Sequence, residues 1–235
     1  TTAKELGAKV NVQNANGDVK EQISQIDYLI SQNVDVIVII AVDCEAISDA
    51  VKRAKNKGIS VISYDRLIKN VDIDLYISFD NETVGRDMGK AMKHALPHGG
   101  KIFEINGSSA DDNVIRVEKA FKQEISKAGI DIVYSDYCKG WSAKAAGEYV
   151  EKALEKYPDV DGIMCGNDDL ASEVARVLSE NRLSGKVALI GQDADLLACQ
   201  RIVEGTQKMT EFKKVEELAK TAAYFAVKIA KGEKY

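Results

Sequence analysis

Apolar residues in this chain keep two alternating rhythms: short β-branched runs, and longer stretches in which they return every three or four positions. Runs at 9–13, 34–41, 59–64, 76–79, 101–106, 131–137, 162–165, 187–191 and 207–212 read as strands. Helical spacing fills the intervals, with a first helix capped by Asp18 and others over 45–57, 82–96, 113–127, 143–156, 170–180 and 214–231. The opening residues 1–8 read as the tail of a helix closed at Gly7. Strand, helix, strand in strict alternation predicts right-handed crossovers and parallel sheets, hence an α/β fold. The strand over 34–41, apolar at every position but Asp35, is predicted to be covered on both faces. Pro97, Gly99 and Gly100 interrupt the rhythm, which then restarts, so a lobe boundary is expected between residues 99 and 100.

Nearly every strand ends abruptly in charge or amide, and open α/β sheets bind ligands just beyond those carboxyl ends. The residues past the strand ends are Asp65-Arg66, Asp80-Asn81, Asp111-Asp112-Asn113, Lys139-Gly140-Trp141, Asn167-Asp168, Asp193 and Lys213. Carboxylates and amides match vicinal hydroxyls, Arg and Lys add donors, and one flat aromatic face suits the C–H surface of a sugar. Plainer roles compete with this one. Asp65-Arg66 alone would read as an ion pair at a sheet end, and Asp112 and Asp168 read as helix caps rather than ligand contacts. Trp141, the sole Trp, comes after Gly140 in a polar loop, which favours a place on the ligand side over the core.

Composition narrows the class. The 235 residues suffice for two lobes, and 45% hydrophobic with 29% charged residues is ordinary for a globular protein. A net charge of −5 without a basic stripe argues against nucleic acid as a partner. The longest apolar stretch, 36–42, is far short of a membrane span. The four cysteines (Cys44, Cys138, Cys165, Cys199) lack zinc-ligand spacing, and three lie in or beside apolar runs, as small buried hydrophobes do; their disulfide state is left open. G-x-S-x-G, Walker A and G-x-G-x-x-G motifs are absent from the sequence. Paired carboxylates could in principle hydrolyse a glycoside, but nothing singles out an acid and a nucleophile. No catalysis, cofactor or metal is therefore expected.

The runs YDRLIKNVDIDLYISFDNETVG, GSSADDNV, GQDADL and GTQKMTEFK, with VQNANGD and NVDVIVII nearer the start, resemble the xylose-binding branch of the type I periplasmic sugar-binding family of bacterial ABC importers. The resemblance covers nearly the whole chain. It implies two Rossmann-like lobes with parallel sheets, joined by a multi-strand hinge, that close on one monosaccharide. It also implies that the chain crosses back near residue 209, so that 1–99 and 210–235 form the first lobe and 100–209 the second. The sugar-contacting set implied is Asp65, Arg66, Asp111, Asn113, Trp141, Asn167, Asp193 and Lys213, with Trp141 stacking on the pyranose ring and Arg66 and Lys213 donating to oxygens. The partners implied are the sugar and an ABC permease; a membrane histidine kinase or chemoreceptor is the alternative. The location implied is periplasmic or cell-surface, and a lipid anchor on a removed N-terminal segment is compatible with it. By the same resemblance, the family's first strand and last strands fall outside this chain. Ser109, Asp112 and Lys214 depart from the family's Pro, Asn and Pro. The effector-binding core of a LacI-type repressor shares the architecture, but it requires an upstream DNA-reading segment, and the acidic balance counts against it.

Overall fold

Asp18 starts the first long helix as its pattern requires, its carboxylate accepting from the backbone N–H of Lys20 at 2.7 Å and of Glu21 at 3.0 Å. In the computed structural model, which describes residues 2–234, that helix is α2 (Val19–Ser31), preceded by the short α1 (Thr2–Glu5). Thr1 and Tyr235, the extremities of the expected first lobe, lie outside the described residues. Then come β1 (Val36–Ile39), α3 (Ser48–Asn56), β2 (Ser60–Tyr64) and β3 (Leu75–Ile77), whose strands make a parallel sheet in the order β1-β2-β3. Next are α4 (Asn81–Ala95), β4 (Gly100–Asn106), α5 (Asp112–Ile125), β5 (Ile130–Tyr137), α6 (Ala143–Lys156) and β6 (Gly162–Cys165). The chain continues with α7 (Asp168–Glu180), β7 (Ala188–Gln192), α8 (Leu196–Val203), β8 (Met209–Glu211) and α9 (Val215–Ala230). Strands β4 to β8 form a second, all-parallel sheet in the order β5-β4-β6-β7-β8.

Two compact units result. The first holds the chain up to Phe79, Ala110–Asp112, and the chain from Lys214 onward; the second holds Asp80–Ser109 and Asn113–Lys213. This division differs from the one expected at residues 99 and 209. Helix α4 goes with the second unit because Met88 and Met92 are buried against Met164 and Ile190 of its sheet. Residues 210 and 211 go with it too, since β8 is hydrogen-bonded to β7.

In the first unit, Ile37, Ile39 and Val61 pack with Ile26, Ile47 and Val51 on one face of the sheet. Leu218 and Ala222 of α9 cover Ile62 and Ile77 on the other. In the second unit, Phe103, Ile105 and Ile163 face α6 and α7, and Ile102, Met164 and Ile190 face α4 and α5. Cys44, Cys138 and Cys165 are buried, Cys199 is exposed, and all four are free thiols.

Two expectations fail locally, and one helix was not expected. Residues 9–13 carry no strand, and Val12 is 81% exposed: among the described residues no strand lies alongside for them to pair with. Strand β1 is covered only in part on its second face: Val36 packs with the α9 cluster, while Val38 is 44% exposed and Ile40, just past the strand, 52% exposed at the edge of the sheet. Helix α8 escaped the pattern because it buries little; Leu196 and Leu197 are exposed and only Ala198 is fully enclosed.

One side chain breaks the apolar pattern of β4. Glu104 is buried on the α5 face, where its carboxylate accepts from Ser135 Oγ at 2.9 Å and lies 3.1 Å from Lys122 Nζ. Lys122 also pairs with Glu118, which accepts from the Tyr137 hydroxyl. Burial, opposed by Lys122, raises the Glu104 pKa above its ordinary 4.5. A carboxyl with a raised folded-state pKa contributes stability that is complete below the unfolded value and is lost as pH rises through the folded one. Glu104→Gln should therefore gain stability relative to the parent as pH rises above 4.5, by at most about 1.4 kcal/mol per pH unit. Parallel stability curves for the two proteins from pH 4 to 7, by chemical denaturation, would refute this.

Candidate functional site

Strand β2 ends in a reversal that few residues adopt. Arg66 N–H donates to the Tyr64 carbonyl at 2.7 Å, closing a γ-turn around Asp65, whose φ is +62°. The turn is clamped by the end of β3: Asp65 N–H donates to the Ile77 carbonyl at 2.7 Å. The Asp65 carbonyl accepts from Ser78 Oγ at 2.6 Å and from the Tyr76 hydroxyl at 3.2 Å. Ser63 Oγ braces the far side, donating to the Arg66 carbonyl at 2.7 Å and accepting from Ile68 N–H at 2.9 Å. The guanidinium of Arg66 is fixed in turn, with Nη1 donating to the Ala41 carbonyl at 3.1 Å and Nε 2.7 Å from Asp111 Oδ2. Asp111 is buried, its side chain 3% exposed, so the pair is held away from water's screening. The segment around Asp111 is tied to the first unit by Cys44 N–H donating to the Ala110 carbonyl at 3.1 Å, and by Lys69 Nζ 2.9 Å from Asp112. The structure thus brings Asp65, Arg66 and Asp111 together in the first unit.

The second unit carries Asn113, Trp141, Asn167, Asp193 and Lys213. Past β5, residues Lys139–Trp141 form a 3₁₀ turn in which Gly140 and Trp141 have φ of +63° and +60°. A left-handed tryptophan is a strained conformer that surrounding structure must impose. It is held by Trp141 N–H donating to the Cys138 carbonyl and Cys138 N–H donating to the Asn106 carbonyl, both at 2.9 Å. The indole lies directly on Gly107, where a Cβ would come within 2.3 Å of Cη2, so only glycine admits it. Gly166, at the end of β6, approaches as closely, since its Cβ would lie 2.6 Å from Gly107 N.

The GQDAD run is a second strained turn. Asp193 and Ala194 have φ of +106° and +56°. Asp193 N–H donates to the Glu211 carbonyl at 2.8 Å, Ala194 N–H donates to Thr210 Oγ1 at 3.0 Å, and Asp193 Oδ1 sits 2.9 Å from Lys213 Nζ. Asn113 accepts from Asn81 Nδ2 at 2.9 Å. Asn167 is the N-cap of α7, its Oδ1 accepting from Leu170 N–H at 2.9 Å.

Two cap assignments change. Asp168 is buried and accepts from Thr210 Oγ1 (2.6 Å), Gln207 Nε2 (3.1 Å) and Asp195 N–H (3.1 Å), with Asn167 taking the cap. Burial raises its pKa, and the three donors oppose the rise. Asp112 is the first residue of α5 and pairs with Lys69. Asp80, exposed, caps α4 through Thr83 N–H at 2.9 Å. The sequence reading missed Ser78 and Tyr76 as clamps and Gly107 as the bed of the indole. The signal for Gly107 was its place immediately after a strand, opposite no turn motif.

Parallel α/β units that present carboxylates, amides, two cations and a tryptophan at their strand ends are built as receptors for a small hydroxylated ligand, on the type I periplasmic-binding-protein fold. The chain belongs to the family described as periplasmic binding protein domain, which matches residues 1–234. It is 43% identical to the D-xylose-binding periplasmic protein of Haemophilus influenzae over 99% of this chain and 71% of that protein. It is 42% identical to the protein of that name from Escherichia coli, over 98% of this chain and 71% of that one. Among solved structures, an ABC transporter solute-binding protein from Mycobacterium smegmatis with bound glycerol is similar, with a TM-score of 0.92 and 29% identity, over 100% of this chain and 81% of that one.

Gly107→Ala tests the seat of the indole. Because Trp141 is the only Trp, its emission spectrum should shift in the variant, and ligand affinity should fall on the order of tenfold as the ring is displaced. An unchanged spectrum with unchanged affinity would show that the close approach does not position the ring.

Proposed function

We propose that this chain is a non-catalytic receptor for a neutral monosaccharide, D-xylose first among the candidates, that serves an ABC importer from outside the cytoplasm. The observation that carries the reading is the strand-end inventory: side chains able to match hydroxyls in both directions, and a tryptophan held in a strained conformation. A sugar whose hydroxyls were left unpaired would lose about 1 to 3 kcal/mol for each one. Asp65, Arg66 and Asp111 of the first unit and Asn113, Trp141, Asn167, Asp193 and Lys213 of the second are the contacts assigned.

In this reading Trp141 covers one face of the ring, Arg66 and Lys213 donate to ring or hydroxyl oxygens, the carboxylates accept, and the two asparagines do both. The choice of sugar and extracytoplasmic location is supported by the names of the relatives that share 42% and 43% of their aligned residues with this chain, and the importer by the name of the ABC transporter solute-binding protein of similar structure. A receptor releases its ligand unchanged. Sugar recovered intact after long incubation agrees with that, and turnover overturns it.

Calorimetry of the intact chain against pentoses and hexoses should give its tightest binding with D-xylose. Trp141→Ala and Asp193→Ala should each weaken that binding on the order of a hundredfold, from lost stacking area and from hydroxyls left unpaired. Titration heats that stay the same in both variants would remove the site assignment.

A further inference from the structure

Just beneath the assigned contacts of the second unit lie two amides that are not among them. Asn106, the last residue of β4, is 1% exposed, and Gln192, the last residue of β7, is 6% exposed. Alternation along β4 sends Phe103 and Ile105 toward α6 and α7, and Ile102, Glu104 and Asn106 toward α4 and α5. On β7, Ile190 packs on that same side and Gly191 faces Asp168, so Gln192 also points to the α4 and α5 side. The strand between them, β6, is followed directly by Gly166, which has no side chain to separate them.

Gln192 donates its Nε2 to the Gly166 carbonyl, while its Oε1 is buried with no hydrogen-bond partner among the described residues. Asn106 Nδ2 is likewise buried and without a partner among them. A buried amide left unpaired is costly, and in native structures such groups call for a specific reason. Here one unused donor and one unused acceptor stand at the ends of the two strands that flank β6. Each immediately precedes a site element, Asn106 the Gly107 bed of Trp141 and Gln192 the strained Asp193.

We propose that Asn106 and Gln192 are further ligand-contacting residues, which take a hydroxyl of the bound sugar from below: Asn106 Nδ2 donates to its oxygen and Gln192 Oε1 accepts its proton. One hydroxyl satisfies both groups, since it is a donor and an acceptor at once. The inference rests on the monosaccharide reading and adds to it a specificity determinant. The ligand class is a polyol whose hydroxyl reaches the strand ends, and an analogue lacking that hydroxyl leaves both amides unpaired.

The test pairs Asn106→Ala and Gln192→Met with the parent, measuring thermal unfolding without sugar and calorimetric affinity for D-xylose and its epimers and deoxy analogues. A group kept for a ligand at the expense of the fold should be removable with the sugar-free midpoint unchanged or higher. Affinity for the best sugar should fall about tenfold in Asn106→Ala. The loss should vanish for the deoxy analogue that lacks the engaged hydroxyl. Unchanged affinity in both variants while the parent binds sugar overturns the inference and leaves the receptor reading standing. A marked drop in the sugar-free midpoint of both variants also overturns it, because the amides would then be structural. A parent that binds no sugar of the panel removes both.

Discussion

Polar groups sealed inside a sheet packed on both faces need partners there, and the simplest solution is to keep them for the strand ends. Strands β6 and β7 are buried at every position, and Asn167 and Asp193 stand just past their ends. Because the strands of each sheet run parallel, these ends fall on one side of that sheet, and residues from separate stretches of the chain are collected there. The candidate site is a consequence of that constraint applied strand by strand.

Where carboxyl groups do enter the interior, the protein surrounds them with donors. Asp168 has three, from β8, from the turn before α8 and from Gln207, and it fastens the start of α7 to both. Glu104 has a hydroxyl and an ammonium, and through Lys122 and Glu118 it links β4 and β5 to α5. Such groups hold helices in register with the sheet, and their raised pKa values record that burial outweighs their partners. Asn106 Nδ2 and Gln192 Oε1, like Glu104 Oε1, are buried without a partner among the described residues, but the two amides stand at the last positions of their strands.

Backbone strain is placed where side chains must be aimed. Of the eight non-glycine residues with positive φ among the described residues, three belong to the assigned contacts: Asp65, Trp141 and Asp193. Each is held by hydrogen bonds from a neighbouring strand or turn: Asp65 by the end of β3, Asp193 by β8, Trp141 by the chain leaving β5. Conformers of this kind persist only where the surroundings over-determine them, and here the surroundings are the next strand of the same sheet or the turn leading out of it.

The strand and helix rhythm was legible because each buried element repeats its apolar spacing over enough residues to be unmistakable; α6 and β6 begin and end where that spacing does. Features that the spacing does not encode escaped it. Helix α8 buries too little to leave a stripe, and residues 9–13 alternate like a strand with no described neighbour to pair with. Residue type and position after a strand marked Asp65, Arg66, Trp141 and Asp193, yet could not tell that Asn167 caps α7 while Asp168 turns inward. By itself the sequence determined the fold class and the roster of hydrogen-bonding groups, since both come from local hydrophobic patterning. Only the tertiary structure decided that α4 packs with the second sheet, that Arg66 meets Asp111, and that Gly107 makes room for an indole. Those outcomes depend on which surfaces meet across long separations in the chain, and no local pattern carries that information.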